Sequence, residues 1–244
     1  MPKSLSKGAV VKKVAGTAAQ ALAPKLVELA PSVTSGIVHQ ALHHALTGIG
    51  PLPGAVHAAE AQLEEQHGDV DKAVRELIQN HVAYSAAEGF VTNLGGLVTA
   101  AVTIPANVTG LALIQCRLVA GIAHLRGYDL AEPRVRNAIL VTLLGEEKVI
   151  SQVKKSKLPA PPMALATAPA YDADLDRVVA SEVTSELLTR VAGKRLAVVV
   201  GKRVPVVGGV IGAGADGWAT YRIGRYAARE WLPRPTTAVG ATTA

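Results

Sequence analysis

Aromatic side chains are scarce in this sequence: 3% of 244 residues, with one Phe and two Trp. A core of stacked rings is therefore excluded, and the 49% hydrophobic content has to pack as small aliphatic side chains, which favours close helix–helix contact. With Cys116 as the single cysteine, there is no intrachain disulfide and no thiolate zinc cluster, a usage that fits a reducing compartment. Long uninterrupted apolar runs are missing too. The uncharged stretch over residues 89–116 carries Thr92, Asn93, Thr99, Thr103, Asn107, Thr109 and Gln115 and is cut by Pro105, so a secure membrane span is not expected there. A Pro-broken pair of short helices is expected instead, either buried in a core or dipping into one leaflet. The second apolar run, 204–215, is too short to span. No Ser–His–Asp, Cys–His or phosphate-loop pattern can be assembled, which leaves no reaction legible in the chain.

What is present is an uneven distribution of charge. The net +6 conceals a basic N-terminus, where Lys3, Lys7, Lys12, Lys13 and Lys25 occur without an acid before Glu28. It also conceals a basic C-terminal region, with nine Lys/Arg against Asp216 and Glu230 between 190 and 235, and an acidic centre. Both ends are suited to an anionic partner: membrane headgroups, nucleic acid or the chain's own centre. Val10, Val11, Val14, Ala18, Ala21 and Leu22 share one helical face opposite Lys12 and Lys13, the pattern of an interfacial helix and equally of a surface helix. Aromatics interleaved with the basic residues are absent at the N-terminus and few at the C-terminus, so nucleic acid is not the expected partner.

Helical periodicity dominates, and the predicted fold class is all-α: a compact multi-helix domain with Gly/Pro-broken apolar helical hairpins. Asp69–Glu88 reads as a helix with Asp69 or Asp71 as its cap. Gly127 ends the next long helix, Asp129 and Glu132 resemble a capping box opening Pro133–Leu144, and Gly145 stops that helix. A further helix is expected over about Asp172–Val191, with Asp172, Asp174 and Asp176 at its favourable N-terminal end. The predicted organisation is a basic amphipathic N-terminal helix over 1–27, a helical core over 28–153, a Pro-rich linker or surface excursion over 154–170, a C-terminal helical hairpin packing on the core over 171–232 and a disordered tail over 233–244.

Several motifs are weak in their context. Gly212-Ala-Gly214-Ala-Asp-Gly217 matches a dinucleotide fingerprint literally, but no βαβ unit or following acid accompanies it, and nucleotide binding is not expected. His39 and His43 lie one turn apart without a nearby carboxylate or cysteine, so no metal and no cofactor is expected. Gly208 and Gly212, with Gly209, Ala213 and Gly217 beside them, form small-residue stripes on a helix started by Pro205. Glu88 closes a face that also carries His81 and Tyr84, and Asp216 sits on the small-residue stripe. Each needs a partner, with Arg117, Arg126 and Arg222 as candidates. If the protein is an enzyme or carrier for a lipid-like apolar substrate, Glu88, His81 and Asp216 are its candidate acid–base groups.

The segment Glu88–Gly96, Ile104-Pro105, Ile122-Ala123 through Gly127-Tyr128-Asp129, and Val204–Gly212 followed by Asp216 and 224–227 resembles the EcsC protein family over residues 70–231. The positions that carry the resemblance are Gly95, Gly96, Pro105, Gly127, Tyr128, Asp129, Pro205, Gly208, Gly209 and Asp216. It implies a bacterial, helical, cytoplasmic protein held peripherally at the inner face of the cell membrane, with a name linked to transporter loci and no assigned reaction. On that basis Lys3, Lys7, Lys12, Lys13, Arg222, Arg225 and Arg229 are expected to meet an anionic membrane surface or lipid, or a membrane protein partner. Gly95, Gly96, Gly208, Gly209 and Gly212 are expected to pack helices, and Gly127, Tyr128 and Asp129 to form a turn.

Overall fold

A computed structural model describes the backbone over residues 31–94, 100–200 and 205–234, with side chains over 36–87, 109–190 and 214–234. The fold is all-α, and among the described residues the one departure is a two-residue antiparallel ladder. Its elements are α1 (Pro31–Thr47), β1 (Gly48–Ile49), β2 (Leu52–Pro53), α2 (Ala55–Glu65), α3 (Val70–Leu94), α4 (Ala100–Leu125), α5 (Pro133–Thr142), α6 (Glu146–Lys154), α7 (Pro162–Ala166), α8 (Ala173–Val200) and α9 (Pro205–Glu230).

Helix α4 is the axle. Every residue from Gln115 to Ala123 is buried, and α1, α2, α3, α8 and α9 all pack against it. A helical segment covered on all sides shows no amphipathic stripe, and residues 115–123 accordingly carry apolar side chains all round, with Gln115 and Arg117 as the polar exceptions. No break occurs at Pro105. Pro105 lies in the second turn of a continuous α4, near enough to the helix start that only one intrahelical bond is forfeited. Among the described residues, no helix is long and apolar enough to cross a membrane.

Local chemistry sets the ends of the elements. Asp69 accepts a hydrogen bond from the Lys72 amide at 2.9 Å and caps α3. Gly127, at φ +83°, closes α4: its amide bonds the His124 carbonyl, and the Tyr128 amide bonds that of Ala123 at 3.0 Å. This paired return is the Schellman arrangement, and its left-handed residue has to be glycine or pay steric strain. The expected capping box before α5 does not form. Asp129 instead accepts from the Ala131 amide at 2.8 Å, Glu132 turns to the Arg134 guanidinium, and Pro133 starts the helix by its fixed φ. Asp172 caps α8, accepting from the amides of Asp174 and Leu175.

The Pro-rich segment is docked rather than free. Leu158, Pro162, Leu165 and Ala166 are buried, α7 packs on α5, and the Glu230 carboxylate accepts from the Met163 amide at 3.1 Å. Of the two C-terminal helices, α9 lies chiefly along α3. Small residues permit that approach. A Cβ on Gly224 would stand 2.9 Å from Ile78 and 3.1 Å from Leu118, and one on Gly217 would touch Ala86 and Val82. The end of α9 is pinned by Trp231, fully buried, whose indole N–H donates to Thr142 at 3.2 Å and whose ring meets Tyr128 edge-on. Arg234 then returns to the core, its amide donating to the Arg126 carbonyl and its guanidinium lying 5.3 Å over the Tyr128 ring.

Candidate functional site

The junction of α3, α4 and α9 holds a buried polar layer inside an otherwise aliphatic core. Ser85 and Thr220 share a hydrogen bond at 2.7 Å, and the Gln115 amide donates to the Thr220 hydroxyl at 3.3 Å. Asp216 is buried one turn before Thr220 on the same face of α9. His81, 2% exposed, lies one turn before Ser85 on α3, and its Nδ1 donates to the Leu77 carbonyl at 2.8 Å. Helical spacing explains the assembly: 81 and 85 on α3, and 216 and 220 on α9, are each a single turn apart and point the same way.

Not every group in the layer is satisfied. His81 Nε2, Gln115 Oε1 and Arg117 Nε are buried and have no hydrogen-bond partner among the described residues, and buried groups of this kind are uncommon. The His81 imidazole is held neutral, with its pKa pushed down to about 4 by burial and, to a lesser extent, by the nearby Arg117 charge. Burial also lowers the Arg117 pKa, though a guanidinium stays charged at any physiological pH. Tyr84, half exposed, closes over the histidine with its ring edge-on at 5.7 Å and forms the boundary with solvent.

Of the three residues expected to supply acid–base chemistry, His81 and Asp216 are brought to one interface; the Glu88 side chain lies outside the described residues. The candidate arginines divide. Arg126 reaches Asp71 at 2.8 Å and Arg222 reaches Glu147 at 2.8 Å, whereas Arg117 forms no ion pair among the described residues. Sequence reasoning offered Arg117 as one candidate partner for Glu88 or Asp216; which side chains lie near it is set by the fold. Gln115, Ser85 and Thr220 carried no signal, being ordinary polar residues in apolar surroundings.

A second feature lies on the outer face of α9. Trp218, Tyr221, Arg222, Arg225 and Arg229 recur at helical spacing and are all exposed. Trp218 is 63% exposed and stacks on Tyr221, with ring centroids 5.7 Å apart. Arg222 and Arg229 bridge to Glu147 and Glu146 at the start of α6. Gly208, Gly209 and Gly212 fall within α9, but their surroundings, with Gly95, Gly96 and the lysines at 3, 7, 12 and 13, lie outside the described residues. Gly127, Tyr128 and Asp129 make the turn between α4 and α5, where the Tyr128 hydroxyl donates to the Leu232 carbonyl at 3.1 Å.

A third feature is a cleft between α1, α5 and the start of α8, where His39 Nε2 meets the Asp176 carboxylate at 3.1 Å beside His43, Arg136 and Tyr171. No group of three or more side chains suited to holding a metal occurs among the described residues.

The family model described as EcsC protein family matches residues 10–234, nearly the whole chain. The chain belongs to the EcsC protein family. The match extends on both sides of the resemblance read from motifs, taking in α1 and α2 and most of the basic N-terminal segment. Comparison with curated proteins and with solved structures gives no match. The buried layer and the outer stripe of α9 are therefore read from this EcsC-family chain's own geometry.

Proposed function

We propose that this EcsC-family protein is membrane-peripheral and binds an anionic lipid surface from the cytoplasmic side, through the outer face of α9 and the lysines of its N-terminal segment. The observation that carries the reading is the exposed, stacked Trp218–Tyr221 pair in register with Arg222, Arg225 and Arg229. Amphipathic rings next to long cationic side chains suit the headgroup region, where the ring body meets acyl chains and the charge meets phosphate. Each basic residue near an anionic surface contributes about 1 kcal/mol, so three arginines joined to a lysine-rich segment hold the protein where one could not. The ion pairs to Glu146 and Glu147 do not oppose this, because exposed pairs are weak and exchange partners readily. A membrane protein partner, and the transporter association implied by the family name, would be served by the same face.

The two tryptophans make the test direct. Trp231 is sealed in the core, so a change in emission on adding vesicles reports Trp218. Phosphatidylglycerol vesicles are expected to shift the emission to the blue and shield it from acrylamide at low salt, with both effects lost at about 0.5 M salt. W218S should abolish them. Equal retention on phosphatidylcholine vesicles at high salt would reject the proposal.

A second reading, an enzyme or carrier for a lipid-like apolar substrate, is favoured by the unpartnered buried atoms at His81 and Gln115. In that reading His81 accepts a proton or hydrogen bond, with Asp216 and Glu88 as further acid–base groups. It predicts that extraction of the purified protein yields one lipid species in fixed ratio; its absence, with vesicle binding intact, leaves the first reading alone.

A further inference from the structure

Arg117 is the least expected side chain in the core. It is 6% exposed and lies one turn before Gly121, which packs against Leu77 one turn before His81; its Nε has no partner and no carboxylate pairs with it among the described residues. A buried cation without a counter-charge is among the most costly arrangements in a folded chain, and a hydrophobic residue of similar volume would be more stable there. A bridging water would satisfy Nε as a hydrogen-bond donor but leave the charge uncompensated. An anion does both.

His81 narrows the class of anion. Because Nδ1 donates to the Leu77 carbonyl, the proton of the neutral ring sits on Nδ1 and Nε2 presents a bare lone pair. The site therefore offers a cationic fork and, beside it, an acceptor. A fully deprotonated anion such as sulfate pairs with the arginine but meets the lone pair with another. A phosphate that retains one proton answers both: P–O⁻ accepts from Arg117, and P–OH donates to Nε2. Phosphodiesters lack that proton and are disfavoured on the same ground. Tyr84 stands over His81 at the surface, which puts the pair one side chain below solvent.

We propose that Arg117 and His81 form a binding site for a monoprotonated phosphate group, supplied either as inorganic phosphate or as the phosphomonoester headgroup of a lipid. The site does not depend on membrane attachment through α9, and it is tested in the absence of vesicles.

The experiment is thermal unfolding and titration calorimetry of the full chain at neutral pH and constant ionic strength, with inorganic phosphate, sulfate and dihexanoyl phosphatidic acid as probes. Phosphate at a hundredfold excess over its Kd is expected to raise Tm by about 5–10 °C, with sulfate binding at least about tenfold more weakly. R117M should lose the phosphate response while keeping or raising its ligand-free Tm, a pairing that a merely structural arginine does not produce. R117K, which keeps the charge but loses the planar fork, should bind phosphate about tenfold more weakly and provides the check if R117M does not fold. H81F should retain binding but lose the preference for phosphate over sulfate. Tighter binding of the phosphatidic acid than of inorganic phosphate assigns the lipid as the source, and the reverse order assigns a soluble phosphate; either upholds the site. The proposal is overturned if phosphate does not bind, if wild type and R117M respond equally, or if phosphate and sulfate are indistinguishable in the wild type.

Discussion

The two faces of α9 are built on opposite principles. Its inner face buries Asp216, Gly217, Thr220, Ile223, Gly224 and Ala227, chiefly against α3 and α4, with small residues at the closest approaches. Its outer face carries Trp218, Tyr221, Arg222, Arg225 and Arg229, bulky and charged, with most of their surface in water. Helices usually bury their aromatics and expose their small residues. The reversal at Trp218 and Tyr221 shows that the outer face is not shaped by folding stability, since large apolar area left in water contributes nothing to it. Stability resides on the inner face, and the membrane attachment proposed above would account for the outer face's composition.

The comparison breaks first at the histidine that borders the inner face. His81 has a folded pKa of about 4 against an ordinary value of 6.5, so between these values the unfolded chain binds a proton that the folded chain refuses. Stability should therefore fall as pH drops from about 6.5 towards 4, by about 3 kcal/mol. Urea unfolding of wild type and H81Q across that range isolates the effect, the variant showing the shallower slope. A smaller loss, about 2 kcal/mol, is expected for G224V, whose side chain has to displace Ile78 and Leu118. It is read as a lower urea midpoint with vesicle binding unchanged in the folded fraction. The smallest effect on stability belongs to the outer face. R222Q with R229Q removes two exposed ion pairs and should change unfolding by less than about 1 kcal/mol while weakening attachment to anionic vesicles. A large stability loss from that double variant, or unchanged vesicle binding, would erase the distinction between the faces.

Much of the scaffold was legible from local signals. Asp69, Gly127, Pro133, Gly145 and Asp172 act within a few residues of themselves, so their effect on helix ends can be read without knowing what packs nearby. The Asp129–Glu132 capping box failed as a reading because Glu132 had an alternative in Arg134, a competition the motif does not encode. The Pro-rich segment read as a linker because its few anchors, Leu158, Leu165 and the Met163 amide, are secured by α5 and by Glu230 of a helix some 67 residues away. The candidate site was half visible: His81 and Asp216 stood out as ionisable residues on apolar faces, whereas Gln115, Ser85 and Thr220 become a layer only when three helices meet.

Composition and periodicity were sufficient for the fold class, for helix ends governed by short-range hydrogen bonding and backbone sterics, and for the basic character of α9. The tertiary arrangement alone decided which aromatic is sealed and which is exposed, since Trp231 and Trp218 differ only in helical phase relative to a core the sequence does not locate. It alone left Arg117 without a carboxylate partner among the described residues. A charge's partner is set by which side chains other helices bring within a few ångströms, and that information is distributed over residues far apart in the chain.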